Sequence, residues 1–303
     1  MTRAKSIKQL NNAQFERLFP TEDDCRHYLI LRRWPEGVHC PRCGNVDVYP
    51  VTNRPFHWQC SKCAPGGGGY RFSVLVGTIF ENTNKPLRDW FKVIHLMLTS
   101  KKGMSALQIM RYMGFGSYKT ALYMCNRIRA GLSEHKPDKL AGVVEVDETY
   151  VGGKARNKHK DKRGDGSPGG PGSGKATVVG AVQRKGNVVA RVIEHADTET
   201  LESFIRETVS NKVSLLATDD GGGYRKIGKE FPHAFVRHTA GEYVIGSVHT
   251  QTIDSFWSLL KRGVMGTFHK VSKKYLPLYV AEFQFRYNNR QNVDIFGAAI
   301  ARC

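Results

Sequence analysis

Apolar residues in the first part of the chain recur every three or four positions. Phe15, Leu18 and Phe19, then Cys25, Tyr28, Leu29 and Leu31, keep this period and predict a helical lead-in over residues 1–37. From Pro86-Leu87 a run containing Trp90, Phe91, Ile94, Leu96, Met97 and Leu98 predicts a buried helix. Two shorter helices are expected next, Ser105 to Met113 and Ser117 to about Arg129, parted by Gly114-Phe115-Gly116. That is helix-turn-helix spacing, and equally the spacing of an amphipathic pair packing a core. Beyond residue 141 the texture changes. Gly142 to Val151 is dense in valine and reads as a strand. Ala176 to Val182 and Val188 to Glu194 flank Arg184-Lys185-Gly186-Asn187, a hairpin with turn chemistry. Thr198 to Ser210 reads as a helix capped by Thr198, with Leu201, Phe204, Ile205 and Val209 on its buried face. Val213 to Thr218 is a further strand, and helices follow at about 250–263 and 272–290. The order predicts an α/β domain over residues 141–295, a mixed sheet flanked by helices, with no internal repeat.

Residues 38–83 fit neither period. They are rich in Cys, Gly, Pro and aromatics, and suit a small ribbon held by metal. Cys40 and Cys43, then Cys60 and Cys63, form two C-x2-C pairs sixteen residues apart. Zinc takes four thiolates in a tetrahedron, and two such knuckles supply two each, so the pattern predicts one structural Zn²⁺. Gly44 lets the chain bend back after the first pair, and Ala64 to Gly69 reads as an insertion after the second. The chain has seven cysteines, an odd count that argues against a disulfide framework.

Charge points to the partner. Lys and Arg number 46 against 27 Asp and Glu, a net of +19 over 303 residues. So basic a surface repels itself unless it meets a polyanion, and phosphate neutralisation makes nucleic acid the expected one. Lys119, Arg127 and Arg129 on the second short helix favour residues 84–140 as the DNA-binding region. The basic residues are spread along the chain, not gathered on one amphipathic helix, which argues against a membrane surface. No stretch approaches the ~20 apolar residues that cross a bilayer. Met1 to Phe19 lacks the pattern of a signal peptide, so the expectation is a cytoplasmic, nucleoid-associated protein. Arg156 to Lys175, full of Gly, Pro and Lys, reads as a mobile basic loop.

Three acids stand where catalytic carboxylates would be useful. Asp147 lies within a strand, Asp219 ends one, and Asp254 opens a helix. An acid ending an apolar strand is costly unless it binds a cation or reaches the sheet edge. Phosphodiester transfer needs an in-line attack and charge relief on the leaving oxygen, which two Mg²⁺ or Mn²⁺ ions on a few carboxylates supply. Asp220 and Glu148 are adjacent alternatives; since strand neighbours point to opposite faces, each is expected to compete with its neighbour and not to join it. Lys261, two turns after Asp254, suits a DNA phosphate.

The segments VEVDETYVGGK (Val144 to Lys154), TDDGGGY (Thr218 to Tyr224), HTQTIDSFWSLLKRG (His249 to Gly263) and EFQFRYNNR (Glu282 to Arg290) resemble bacterial insertion-sequence transposases. So does GTIFENTNKPL (Gly77 to Leu87), which follows the ribbon. The resemblance is to the group that places a zinc ribbon before a ribonuclease H-like DDE domain, and it covers nearly the whole chain. It implies cut-and-join transposition of an element with terminal inverted repeats, on double-stranded DNA, by a homo-oligomer. Carried over by motif, the acids are Asp147, Asp219 and Asp254, with Lys261 seven residues after the last. The chain departs from the family in having Asp254 where Glu is usual and Gln251 where Asn is commoner. A non-catalytic zinc-ribbon DNA-binding protein and a nuclease that cuts without joining are the competing readings.

Overall fold

The computed structural model describes residues 10–63, 68–134, 136–153, 174–219, 224, 227–236 and 249–303. Most of the Arg156–Lys175 segment, most of the Ala64–Gly69 insertion, and Asp220 lie outside them. The chain forms two compact units, Met1–Leu132 with Gln291–Cys303, and Ser133–Arg290.

The first unit opens with α1 (Asn12–Leu18) and α2 (Glu22–Arg33), each begun by a capping box, Asn11 with Gln14 and Thr21 with Asp24. A three-stranded antiparallel sheet follows: β1 (Tyr49–Pro50), β2 (His57–Cys60) and β3 (Tyr70–Ser73). Then come α3 (Leu87–Thr99), α4 (Ala106–Met113) and α5 (Tyr118–Gly131). Ser105 caps α4, Gly114 ends it in the left-handed region at φ 68°, and Ser117 caps α5. The turn between the two short helices therefore has the chemistry expected of it. Arg129 does not face solvent as expected: it is 1% exposed and donates to Asn126. It falls on the same stripe as Ala121, Cys125 and Ile128, which pack inward. Tyr118, Lys119 and Tyr123 line the exposed side of α5.

The second unit is a mixed five-stranded sheet in the order β6-β5-β4-β7-β8, flanked by helices, as a ribonuclease H-like fold requires. Its strands are β4 (Leu140–Val151), β5 (Ala176–Gln183), β6 (Val188–Ile193), β7 (Val209–Asp219) and β8 (His233–Val236). β5 runs antiparallel to β4 and β6, while β7 is parallel to β4 and β8. One face packs on α6 (Thr198–Thr208) through Val144, Val146, Leu216, Leu201, Phe204 and Ile205. Asp197, not Thr198, caps α6, accepting from the Thr200 amide at 2.8 Å. The other face packs on α7 (Gln251–Gly263) and α8 (Leu276–Asn288). Ile253, Phe256, Trp257 and Leu260 form the buried stripe of α7, leaving Asp254, Ser258 and Lys261 exposed. The last helix, α9 (Ile295–Arg302), belongs to the first unit. Among the described residues no helix is long and apolar enough to cross a membrane.

Candidate functional site

The ribbon gathers all four of its cysteines. Gly44, at φ 70°, turns the chain so that its amide donates to the Cys40 carbonyl at 2.9 Å. Cys60 ends β2 and Cys63 follows on the next turn. The Cys40 and Cys63 sulfurs stand 3.7 Å apart, as do those of Cys43 and Cys60. Zn–S bonds of about 2.3 Å in a tetrahedron put sulfurs about 3.8 Å apart, so the spacing fits zinc. Asn45 Nδ2 lies 3.8 Å from the Cys60 sulfur. Trp34, Trp58 and Phe72 pack beside the knuckles, ring to ring at 5.6 to 6.1 Å.

The acids meet where β4 and β7 run side by side. The last paired residues are Glu145 and Ala217, and two residues on, Asp147 and Asp219 fall next to each other on the face toward α7. Asp147, Glu148 and Asp219 each offer a carboxylate oxygen within 4.8 Å of the others. The expectation that Glu148 would compete with Asp147 is therefore corrected. Alternation does send Glu148 toward the α6 face, where Tyr224 stands. But β7 as described ends at Asp219, so on that side of β4 no further described strand stands beside Glu148, and a side chain as long as Glu reaches round.

The electrostatics are those of carboxyls that are buried and crowded together. Burial, then repulsion from Asp219 and Glu148 and, least, from Asp254, pushes the Asp147 carboxyl up to about 7. Burial and Asp219 also push Glu148 up to about 7, while the facing Tyr224 hydroxyl pulls the other way. Three hard oxygen donors converging within 4.8 Å of one another fit a divalent ion. Asp254 stands apart from this trio, exposed on the first turn of α7 yet within electrostatic reach of Asp147. Lys261 is exposed on the same face of α7.

Two neighbouring residues join the site that were not among the candidates read from sequence. Glu145, fully buried on β4, accepts from the Thr252 amide at 2.7 Å, the Ile253 amide at 3.1 Å, the Thr252 hydroxyl at 2.8 Å and Arg184 Nε at 2.7 Å. It thereby satisfies the start of α7, where Thr250 supplies no side-chain cap. Trp257 donates its indole N–H to Asp147 Oδ2 at 2.9 Å. Glu145 could have been suspected from its place two residues before Asp147, on the same face; Trp257 reads only as core.

A ribonuclease H-like sheet gathering carboxylates from its two central parallel strands, in a chain that also carries a four-cysteine zinc ribbon, defines a class of DNA-processing proteins. Comparison with known proteins agrees. Residues 139–288 match the family model of the ISXO2-like transposase domain, and residues 20–65 match that of the transposase zinc-ribbon domain. The chain belongs to this insertion-sequence transposase family. It is 29% identical over 281 residues to an uncharacterized protein in transposable element ISH50 of Halobacterium salinarum, covering 88% of this chain and 91% of that one. It also aligns with a chain of the simian T-cell lymphotropic virus intasome in complex with PP2A regulatory subunit B56 gamma, at 12% identity and a TM-score of 0.30. That alignment covers 58% of this chain and 63% of the other, and is too loose to bear on fold or function.

Proposed function

We propose that the protein is a DNA transposase that cuts the ends of an insertion sequence and joins them to target DNA. The observation that supports this most is the convergence of Asp147, Glu148 and Asp219, from two parallel strands, on one place where a carboxylate oxygen of each lies within 4.8 Å of the others. Two Mg²⁺ or Mn²⁺ ions bound there would activate the attacking oxygen and relieve charge on the leaving one. Asp147, Asp219 and, from the first turn of α7, Asp254 would hold these ions, with Asp147 shared between them. Lys261 holds a DNA phosphate near the cut. Residues 1–140, with their zinc ribbon and helical region, hold the terminal inverted repeats. The chain acts as a homo-oligomer on double-stranded DNA, in the cytoplasm at the nucleoid.

Purified protein with Mg²⁺ or Mn²⁺ is expected to cleave DNA at the element's ends and join the new 3′ ends to a plasmid. Asp147→Asn and Asp219→Asn should abolish both steps and leave DNA binding nearly intact. Undiminished cleavage by either variant would overturn the assignment. Binding without cleavage by the native protein would leave a DNA-binding protein without chemistry, and cleavage without joining a nuclease.

The third ligand has a second reading, favoured by the place of Glu148 inside the trio. If Asp254 is the ligand, Asp254→Ala is inactive and Asp254→Glu active. If Glu148 is, Glu148→Gln is inactive and Asp254→Ala retains cleavage.

A further inference from the structure

The helix that bears Asp254 is tied to the central strand twice, and the second tie ends on an acid of the site. Glu145 holds the first turn of α7 through the Thr252 and Ile253 amides. A turn further on, the Trp257 indole N–H reaches Asp147 Oδ2 at 2.9 Å, with the ring 3% exposed. The ring gets there by lying over β5 at Gly180, the residue directly opposite Asp147 in the β4–β5 ladder. A Cβ at position 180 would meet the Trp257 ring at 2.6 and 2.8 Å, so any side chain there must displace it.

The donor is chemically apt. Lysine or arginine would orient a carboxylate and also neutralise it, competing with a cation. An indole N–H is a neutral donor with no lone pair to offer a metal. It fills one of about four lone-pair positions on an ionised carboxylate and leaves the charge and the other positions available.

We propose that Trp257 is a positioning residue for the cation site: its indole N–H sets the Asp147 carboxylate so that its remaining lone pairs face Glu148 and Asp219, and Gly180 provides the room that admits the ring. This rests on the reading of the acidic trio as a cation site.

Trp257→Phe keeps an aromatic ring in the slot and removes the N–H. Mn²⁺ binding to the full chain, followed by electron paramagnetic resonance, should weaken about 10-fold or more, as for other outer partners of metal ligands. The kcat for cleavage should fall while KM for DNA stays unchanged, and Gly180→Ala should likewise weaken Mn²⁺ binding and lower kcat. A purely structural tryptophan would lower thermal stability without this split. A second measurement leaves Trp257 in place. The native protein, labelled with ¹⁵N at the indoles of its four tryptophans, should show one indole resonance that moves with Mg²⁺ and in Asp147→Asn. That resonance should be missing from Trp257→Phe. If Asp147→Asn weakens Mn²⁺ binding and Trp257→Phe does not, the positioning role is wrong and the cation site stands. If no indole resonance responds to Mg²⁺ or to Asp147→Asn, the positioning role is likewise overturned, even where the Phe variant fails to fold. If Asp147→Asn leaves Mn²⁺ binding unchanged, the cation reading falls and takes this proposal with it.

Discussion

The ribbon and the five-stranded sheet each gather ligands for metal, and they do so on opposite terms. In the ribbon, strands of two to four residues have little core of their own, and four sulfurs already stand at tetrahedral spacing. Metal there completes the fold. In the sheet, Val144, Val146, Leu216 and the helices on both faces make a core that owes nothing to metal. That core buries carboxylates and presses them together, and burial first, repulsion second, raises the pKa values of Asp147 and Glu148. A staple is closed and adds to stability; a site for chemistry stays open and costs stability until a cation arrives.

The largest expected effect is on the ribbon. Structural zinc contributes on the order of 10 kcal/mol to folding such modules, so chelation or Cys43→Ser should unfold it while the sheet melts as before. Metal analysis should return about one Zn²⁺ per chain. A ribbon that keeps its dispersed NMR spectrum after chelation would erase the contrast.

Next comes the sheet, with the sign reversed. Asp147→Asn should lower cleavage at least about 10³-fold, roughly 4 kcal/mol of barrier. Yet in the absence of divalent cations it should melt higher than the native protein, because a buried charge and its repulsions are gone. A lower melting temperature for this variant would show that the carboxylate is held by attraction and not against repulsion.

Acid should separate the two regions more gently. An aspartate raised from 3.8 to about 7 binds more protons folded than unfolded. Its contribution is thus present below about pH 4 and is lost as pH rises to about 7. Thiolates behave in the opposite sense, since protonation releases zinc. Scanning calorimetry without Mg²⁺, from about pH 8 to about pH 5.5, should therefore show the sheet melting higher and the ribbon lower. Adding Mg²⁺ should raise the melting temperature of the sheet more at the higher pH. Equal Mg²⁺ effects at both ends would remove the link between these carboxyls and the cation.

The smallest effect distinguishes cation from phosphate. Lys261→Ala should leave Mn²⁺ binding intact and reduce the salt dependence of DNA affinity by about one contact, a slope change near 0.9. An unchanged slope would place Lys261 away from the backbone.

Much of this was legible in residue order. Two C-x2-C pairs locate the ribbon because thiolate chemistry needs little context. The stripe Ile253, Phe256, Trp257 and Leu260 orients α7, and turn chemistry places the hairpin of β5 and β6. What escaped depends on where strands stop. Alternation placed Glu148 away from Asp147, and it separates side chains strictly only while strands on both sides keep the faces apart. Arg129 looked like a DNA contact by charge, yet it shares its helical stripe with buried Ala121, Cys125 and Ile128. Trp257 reads as core because an apolar stripe hides a single N–H.

The pairing of β4 with β7 is uneven at its start. Leu140 faces Val209, Gly142 faces Val213 and Val143 faces Leu215, after which the strands advance in step through Glu145 and Ala217. Three more residues of β7 than of β4 are absorbed before the regular ladder begins, an odd number. Gly142, at φ 69°, sits within that irregular stretch. In a lattice of period two, an odd slip exchanges the faces of one strand relative to the other. The irregularity thus acts as a phase shifter, bringing Asp219 abreast of Asp147 where an even ladder begun at Leu140 would have set Leu216. Changing the chain by one residue between Ser210 and Ser214 would leave every acid in place and put them out of phase.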